Sequence, residues 1–381
     1  MAKSFDCVVI GAGVLGLAHA YHLARRGKKV AVLERHPQAV GASIRNFGML
    51  WPIGQPGGDL TDLAMRSVDI WKEVLDEAGI WYNPYGSLHL AYEEDEAQVL
   101  KEFCGLPEAR GRRLELLDPS QLTRRFSSVR AEGLKLGLFS PSEVCVDPRE
   151  TIARLPEYLH KKYHVQFFWN TPVQAIDSPK IHTNHCEFHA DKILLCTGSD
   201  YQQLYPEAFA SEGIRQCKLQ MLRTPPLPNF KLGAHLAAGL TLRHYKAFTK
   251  CPTLKELIAR FDRDLPEYHH YGIHVMASQN GLGELVLGDS HEYGDSIEPF
   301  NKELIDELII KYLKKFLNLD PIIIASRWHG VYAKHPTEAY LIRNPAPGVT
   351  AVNMVGGAGM TLSFGLAERA VKALLGESYA D

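Results

Sequence analysis

Residues 5–10 form a short apolar run, followed by a glycine-rich turn and then apolar positions at helical spacing over 14–26 that stop at Gly27. A second apolar run, 29–33, ends at Glu34. This pattern predicts a buried strand, a helix and a second buried parallel strand. Helical spacing recurs at 60–78, 93–103, 149–163, 301–317 and 361–375, and in the fourth of these Leu304, Ile305, Leu308, Ile309 and Tyr312 are expected to face inward. Strands are expected at 87–92, 165–168, 171–176 and 349–355, and over 192–199 where an apolar run enters a Thr-Gly turn. Between 218 and 287 the pattern changes to short alternating runs, 218–224, 273–278 and 284–287, which predict an antiparallel sheet. The glycine-punctuated stretch from Gly41 to Gly58 reads as a long structured loop, and such loops are usually functional.

The opening turn is Gly11-Ala-Gly-Val-Leu-Gly16, with Glu34 eighteen residues on. Strand, glycine turn, helix and terminal acid in this register predict a dinucleotide site. Gly11 permits the turn, Gly13 admits a pyrophosphate, and Gly16 lets the helix pack on the strand. The amides of Val14 and Leu15 then open onto the phosphates. Glu34 suits a ribose hydroxyl, and its charge argues against a 2′-phosphate.

The chain of 381 residues exceeds one typical domain. Its 45% hydrophobic and 23% charged residues are ordinary for a soluble protein. A net charge of −2 without a basic block argues against nucleic acid or an anionic membrane as partner. The seven cysteines are scattered, so a reducing compartment, the cytoplasm, and no metal site are expected, with Cys7 and Cys196 as core residues. An apolar run starting at Phe5 leaves no room for a signal peptide, and no run approaches a membrane span. Composition does not decide between a monomer and a homo-oligomer.

Three stretches favour a flavin dinucleotide over NAD. Ile193-Leu-Leu-Cys-Thr-Gly198 is a second strand-to-turn, the 43–49 loop follows the acid closely, and Val352-Asn-Met-Val-Gly-Gly-Ala-Gly-Met-Thr361 is a third strand–glycine–helix. A helix N-terminus there can stabilise negative charge on a reduced flavin. Together with Asp6-Cys-Val-Val-Ile-Gly11, Arg327-Trp-His-Gly330 and Gly356-Gly-Ala-Gly-Met-Thr-Leu-Ser-Phe-Gly365, these motifs resemble the D-amino-acid oxidase family, which includes glycine and sarcosine oxidases. The resemblance runs through nearly the whole chain. Ser43-Ile-Arg-Asn-Phe-Gly-Met49 and Leu287-Gly-Asp-Ser-His-Glu-Tyr293 further resemble a bacterial branch associated with aminophosphonate breakdown.

The resemblance implies an α/β fold: a FAD-binding Rossmann-like domain of glutathione-reductase type with an inserted substrate domain on a mixed, largely antiparallel sheet. Residues 1–80, 145–215 and 325–381 are assigned to the first domain, and 81–144 and 216–324 to the second. The implied reaction moves a hydride from an amine-bearing carbon to flavin N5. FAD contacts are expected at Gly11, Gly13, Val14, Leu15, Gly16, Glu34, Arg35, Ser43, Arg45, Asn46, Gly48, Met49 and Val173. They continue at Thr197, Gly198, Gly330, Gly357, Gly359, Met360 and Thr361.

The chain departs from the resemblance at four places. Amino-acid-oxidising members often carry an Arg two residues after the W-x-G glycine to grip a carboxylate; here that place is Tyr332. Gly330 offers no thiol, so FAD should be non-covalent. Thr361 stands where sarcosine oxidases carry a carboxylate-binding Lys, and Val286 where they carry a Lys that assists oxygen reduction. The substrate anion is therefore expected to meet Tyr332, Arg243, His244, His274 and His335, with Arg243, His244 and His274 on strand-like stretches. Met49 and Trp51 either line the flavin or pack in the core. Arg45 either binds FAD phosphate or braces its loop. Asp289 and His291 read as a structural loop pair.

The expected activity is oxidation of a small anionic amine, preferably 2-aminoethylphosphonate or an N-methylated relative, with O2 or another electron acceptor. The alternatives are an amino-acid oxidase whose anchor has moved, for example to Arg243, and a flavin dehydrogenase subunit passing electrons to a partner.

Overall fold

The computed structural model describes residues 3–109 and 111–377. The first apolar run forms the strand Lys3–Ile10, whose last four residues are buried. It pairs in parallel with Val30–Leu33 on one side and Glu187–Leu195 on the other. Gln166–Phe168 and Val349–Met354 extend this parallel core at its two edges. Three antiparallel strands, Val173–Asp177, Lys180–Thr183 and Tyr340–Ala346, complete an eight-stranded sheet.

One face of this sheet carries the helices Val14–Arg25, Asp59–Ala78 and Gly359–Leu375, with Tyr21, Trp71 and Phe364 in their shared core. Trp71 meets Phe364 edge-on at 4.5 Å between ring centroids, and its Nε1 donates to the Met360 carbonyl at 2.9 Å. The other face packs Phe5, Val8, Phe188 and Ile193 beneath Tyr201 and Phe209. Cys7 and Cys196 are both buried in these layers, as expected.

The second sheet has nine strands. All of its pairings are antiparallel except that of Ser87–Ala91 with His235–Ala238. Ser326–Lys334, from a segment grouped by sequence with the nucleotide domain, pairs along its whole length with Arg215–Arg223 and so belongs to this second sheet. A small three-stranded sheet of Met49–Leu50, Val144–Val146 and Tyr82–Asn83 lies apart from both.

Two expectations are corrected. The stretch 239–270, between the alternating runs, is helical (Gly239–His244, Leu254–Asp264, Pro266–His270), so Arg243 and His244, expected on a strand-like stretch, end a helix. Leu254, Leu257 and Phe261 are its buried residues in the middle helix, at helical spacing. In the helix Glu303–Phe316 the inward face is Ile305, Leu308, Ile309, Tyr312, Leu313 and Phe316, whereas Leu304 is 40% exposed. Among the described residues, no helix is long and apolar enough to cross a membrane.

Candidate active site

The glycine turn after Lys3–Ile10 is as tight as its sequence implies. Gly11 adopts a φ of +106°, and a Cβ there would lie 2.4 Å from the Cys196 carbonyl oxygen. A Cβ on Gly16 would fall 1.9 Å from the Gly11 carbonyl oxygen, so helix and turn touch through backbone alone. Glu34 folds back over this turn: its carboxylate accepts from the Ala12 amide at 2.9 Å and the His36 amide at 3.1 Å. The Val14 amide donates to the Ser43 hydroxyl at 2.9 Å, which ties the following loop to the helix N-terminus.

That loop is shaped from within. Asn46 donates to the Ala42 and Ser43 carbonyls and accepts from the Gly48 amide at 2.8 Å. Arg45 is braced from the second sheet: Trp328 Nε1 donates to its carbonyl at 3.2 Å, and a Cβ on Gly330 would lie 3.2 Å from the same oxygen. The Trp51 amide donates to the Thr361 hydroxyl at 2.9 Å, which links the loop to the start of the last helix. Arg35 pairs with Asp200 at 2.6 Å beside the Thr197-Gly198 turn.

One cavity of about 820 Å³ joins these parts. At one end lie Gly11, Gly13, Val14, Leu15, Glu34, Arg35, Val173, Thr197 and Gly198. Its middle is lined by Ser43, Arg45, Asn46, Met49, Trp51, Gly330, Gly357, Gly359, Met360 and Thr361. Gly16 and Gly48, expected as FAD contacts, do not line it. Gly16 packs on the turn, and Gly48 (φ +72°) sits so close to the Val146 carbonyl that a Cβ would be 2.0 Å from it.

This arrangement fits a dinucleotide. Backbone glycines hold the approach open, a helix N-terminus and an acid stand at one end, and a left-handed Gly357 (φ +81°) before the helix Gly359–Leu375 stands in the middle. Gly11, Gly13, Val14 and Leu15 would hold the pyrophosphate and Glu34 a ribose. The segments at 43–49 and 356–361 would flank the isoalloxazine ring.

The far end lies in the second sheet and is lined by Tyr332, Lys334, Arg243, His244, Tyr245, His274, Asp289 and His291. Tyr332 points from its strand at the glycine turn: a Cβ on Gly357 would be 3.1 Å from its hydroxyl. Burial pushes the Tyr332 phenol well above its usual range, and burial followed by the Lys246 ammonium holds Lys334 below the lysine range. Arg243 is 15% exposed at its side chain and lies 3.5 Å from Asp262.

Arg243 and His244 end the short helix Gly239–His244 instead of lying on a strand, and His274 precedes the strand Met276–Gln279. His335 does not reach the cavity. Its Nδ1 accepts from the Thr337 and Glu338 amides, and its Nε2 lies 3.6 Å from Glu212, so it closes a turn beyond the strand end. Asp289 is not simply His291's partner: its Oδ1 lies 3.0 Å from His274 Nε2 and 3.9 Å from His291 Nδ1. Sequence reasoning missed Lys334 altogether. Its only signal is its place two residues after Tyr332, on the same strand face.

Comparison with known proteins gives the family and the cofactor. The family model described as "FAD dependent oxidoreductase" matches residues 6–373. Glycine oxidase of Bacillus licheniformis is 33% identical over 339 residues, covering 87% of this chain and 82% of that protein. Human mitochondrial sarcosine dehydrogenase is 28% identical over 180 residues, 46% of this chain. The chain spans only 19% of that dehydrogenase and 20% of the rat mitochondrial dimethylglycine dehydrogenase it also matches. A crystal structure of glycine oxidase from Geobacillus kaustophilus superposes with a TM-score of 0.80 over 100% of this chain and 96% of that one, at 17% identity, a likeness of fold. The chain therefore belongs to the DAO family of FAD-dependent oxidoreductases, and FAD is its cofactor.

Proposed function

We propose that the protein oxidises a small anionic amine, with 2-aminoethylphosphonate or an N-methylated relative as preferred substrate. Relatives named glycine oxidase and sarcosine dehydrogenase support amine oxidation. One observation carries the choice of anion. The cavity has Tyr332 two residues after Gly330, and the cations at its far end, Arg243, Lys246 and Lys334, come from separate elements. A single arginine fork suits a flat carboxylate. Dispersed donors on several elements suit a tetrahedral group with three oxygens.

Bound FAD supplies the two-electron acceptor for the hydride on the amine-bearing carbon. The chain's own residues hold the anionic tail at Tyr332, Lys334 and Arg243, so that the amine-bearing carbon lies toward the 43–49 and 356–361 segments. Met49 and Trp51, 7% and 3% exposed, close that part of the cavity against water. A dry surrounding lowers the amine's pKa and favours the neutral form that is oxidised. The imine released is hydrolysed by water to an aldehyde and ammonia or methylamine. With Gly330 at the attachment position of related chains, FAD is held without a covalent bond.

Mixing the holoenzyme anaerobically with aminophosphonates, glycine, sarcosine and D-amino acids tests this. Loss of the oxidised-flavin absorbance with an aminophosphonate is expected. Bleaching by an amino acid and by no phosphonate refutes the substrate. That second outcome fits an amino-acid oxidase anchored at Arg243, which lines the cavity. In that case replacing Arg243 raises KM for the amino acid. Val286 is buried in the core of the second sheet and places no charge in the cavity, so the acceptor is either O2 or a partner protein. Peroxide formed on admitting air selects the former.

A further inference from the structure

Three imidazoles meet at the far end of the cavity from well-separated parts of the chain. His244 ends a short helix and opens onto the cavity, while His274 (3% exposed) and His291 (7%) are buried in its wall. His274 stacks on both other rings, while His244 and His291 are tilted by 43° to each other. His244 and His274 stack at 3.8 Å and 28°, His274 and His291 lie 5.1 Å apart at 26°, and His244 and His291 are 4.5 Å apart. One ring nitrogen of each lies within 4.8 Å of the other two. His274 Nδ1 is buried without a partner, and its Nε2 lies 3.0 Å from Asp289. His291 Nδ1 is held by the Gly272 carbonyl at 3.1 Å, which leaves Nε2 as its free nitrogen.

Such a cluster can take a cation or an anion, and two features decide. A metal ion needs in-plane lone pairs that converge on one point about 2.0–2.1 Å away. The stacked pairs His244–His274 and His274–His291 aim theirs side by side instead. The cluster also faces two cations, Lys334 and Arg243, of which Arg243 lies 3.5 Å from Asp262, and one acid reaches its own rings, Asp289. Tyr245 and Tyr293 complete its surroundings. A dication would be repelled by both cations, whereas a dianion would be attracted to them and to the rings whose protonation it favours.

We infer that His244, His274 and His291 form a proton-coupled socket for a tetrahedral dianion, which becomes cationic as the anion enters. This rests on the reading of the cavity as the site of an anionic amine, and adds which residues set the preference for a doubly charged tail. Side-by-side ring N–H groups reach separate oxygens of one tetrahedral group. In the free protein, burial and then the neighbouring imidazoles hold His244 well below its usual range, and burial brings His291 down to about 4, so these two rings are neutral before an anion enters. An entering dianion favours the protonated rings, with Asp289 and the Gly272 carbonyl bracing the outer nitrogens. The bound-state pKa then exceeds the free-state value, so binding takes up protons and weakens as pH rises toward the bound-state value.

Sulfate is the probe, since it stays a dianion across neutral pH. Its inhibition constant against the amine substrate, measured on holoenzyme, should rise by up to about tenfold per pH unit for each proton taken up, from above the free-state value of about 4 for His291 until the bound-state value is reached, and level off beyond it. Calorimetry in buffers of different ionisation enthalpy should register that uptake directly. In His244→Asn, the mildest change because that ring faces the cavity, and in His291→Gln, both the uptake and the pH slope should shrink while flavin content is retained. A pH-independent constant, or variants that keep the wild-type slope, overturns the inference. So does stoichiometric Zn2+ binding that His244→Asn abolishes, because the cluster would then be a cation site. Proton-coupled sulfate binding in an enzyme that ignores every aminophosphonate would keep the socket and sink only the proposed substrate.

Discussion

Glu34 occupies the place where local sequence and ligand chemistry meet. It is 8% exposed and already accepts two backbone amides, which fixes its carboxylate at the rim of the glycine turn. Hydrogen bonds to a charged acceptor contribute about 1.5–3 kcal/mol each, so Glu34→Ala should weaken FAD binding by roughly tenfold or more. Quenching of flavin fluorescence on titrating the apoprotein measures this, and an unchanged affinity would remove Glu34 from the ribose. Thr361 shows how a residue can sit at the cofactor for a different reason than its type suggests. Its hydroxyl accepts the Trp51 amide and so ties together segments 310 residues apart.

Between elements, the packing of the first and last parts of the chain depends on one small residue. Gly365 in the helix Gly359–Leu375 lies against Asp59–Ala78, where a Cβ would be 2.5 Å from the Leu63 carbonyl oxygen and 3.2 Å from Ser67 Cβ. The obstacle is backbone, so the helices must separate. Gly365→Ala should cost about 1–3 kcal/mol and lower the Tm of the holoenzyme in calorimetry. Gly105→Ala, at a helix end with nothing within 4 Å of the added methyl, should leave Tm unchanged or slightly raised. If the two variants unfold together, the close approach does not matter to stability.

Across the whole molecule, stability should depend on pH through histidines outside the site. Burial holds His19 at about 4 and His22, His89 and His235 at about 3, against the ordinary 6.5. Below about pH 6.5 the unfolded chain binds protons at these rings that the folded chain excludes, so their contribution is present above 6.5 and is lost as pH falls toward 4. Glu143 opposes them. Burial raises it to about 7 from 4.5, so the fold binds that proton first as pH falls. Four imidazoles outweigh one carboxyl, and Tm should decline steadily from pH 6.5 to pH 5. A flat Tm across that range would mean that the rings are hydrated in the fold.

Much of the nucleotide half was legible because its information is local. A strand, a three-glycine turn, a capped helix and an acid lie within about thirty residues, and each follows from spacing and backbone sterics alone. The helix Leu254–Asp264 was equally local, and its buried spacing was overlooked among short alternating runs. The anion end was not legible, because it depends on register and side-chain direction. The pairing of Cys217 with Tyr332 sets which face of that strand turns inward, so that Tyr332 and Lys334 enter the cavity while His335, just past its end, closes a turn. His244, His274 and His291 have no ligand spacing in the sequence. They meet only because a helix end, a loop and a strand end pack around the same opening, and only the tertiary structure brings them there.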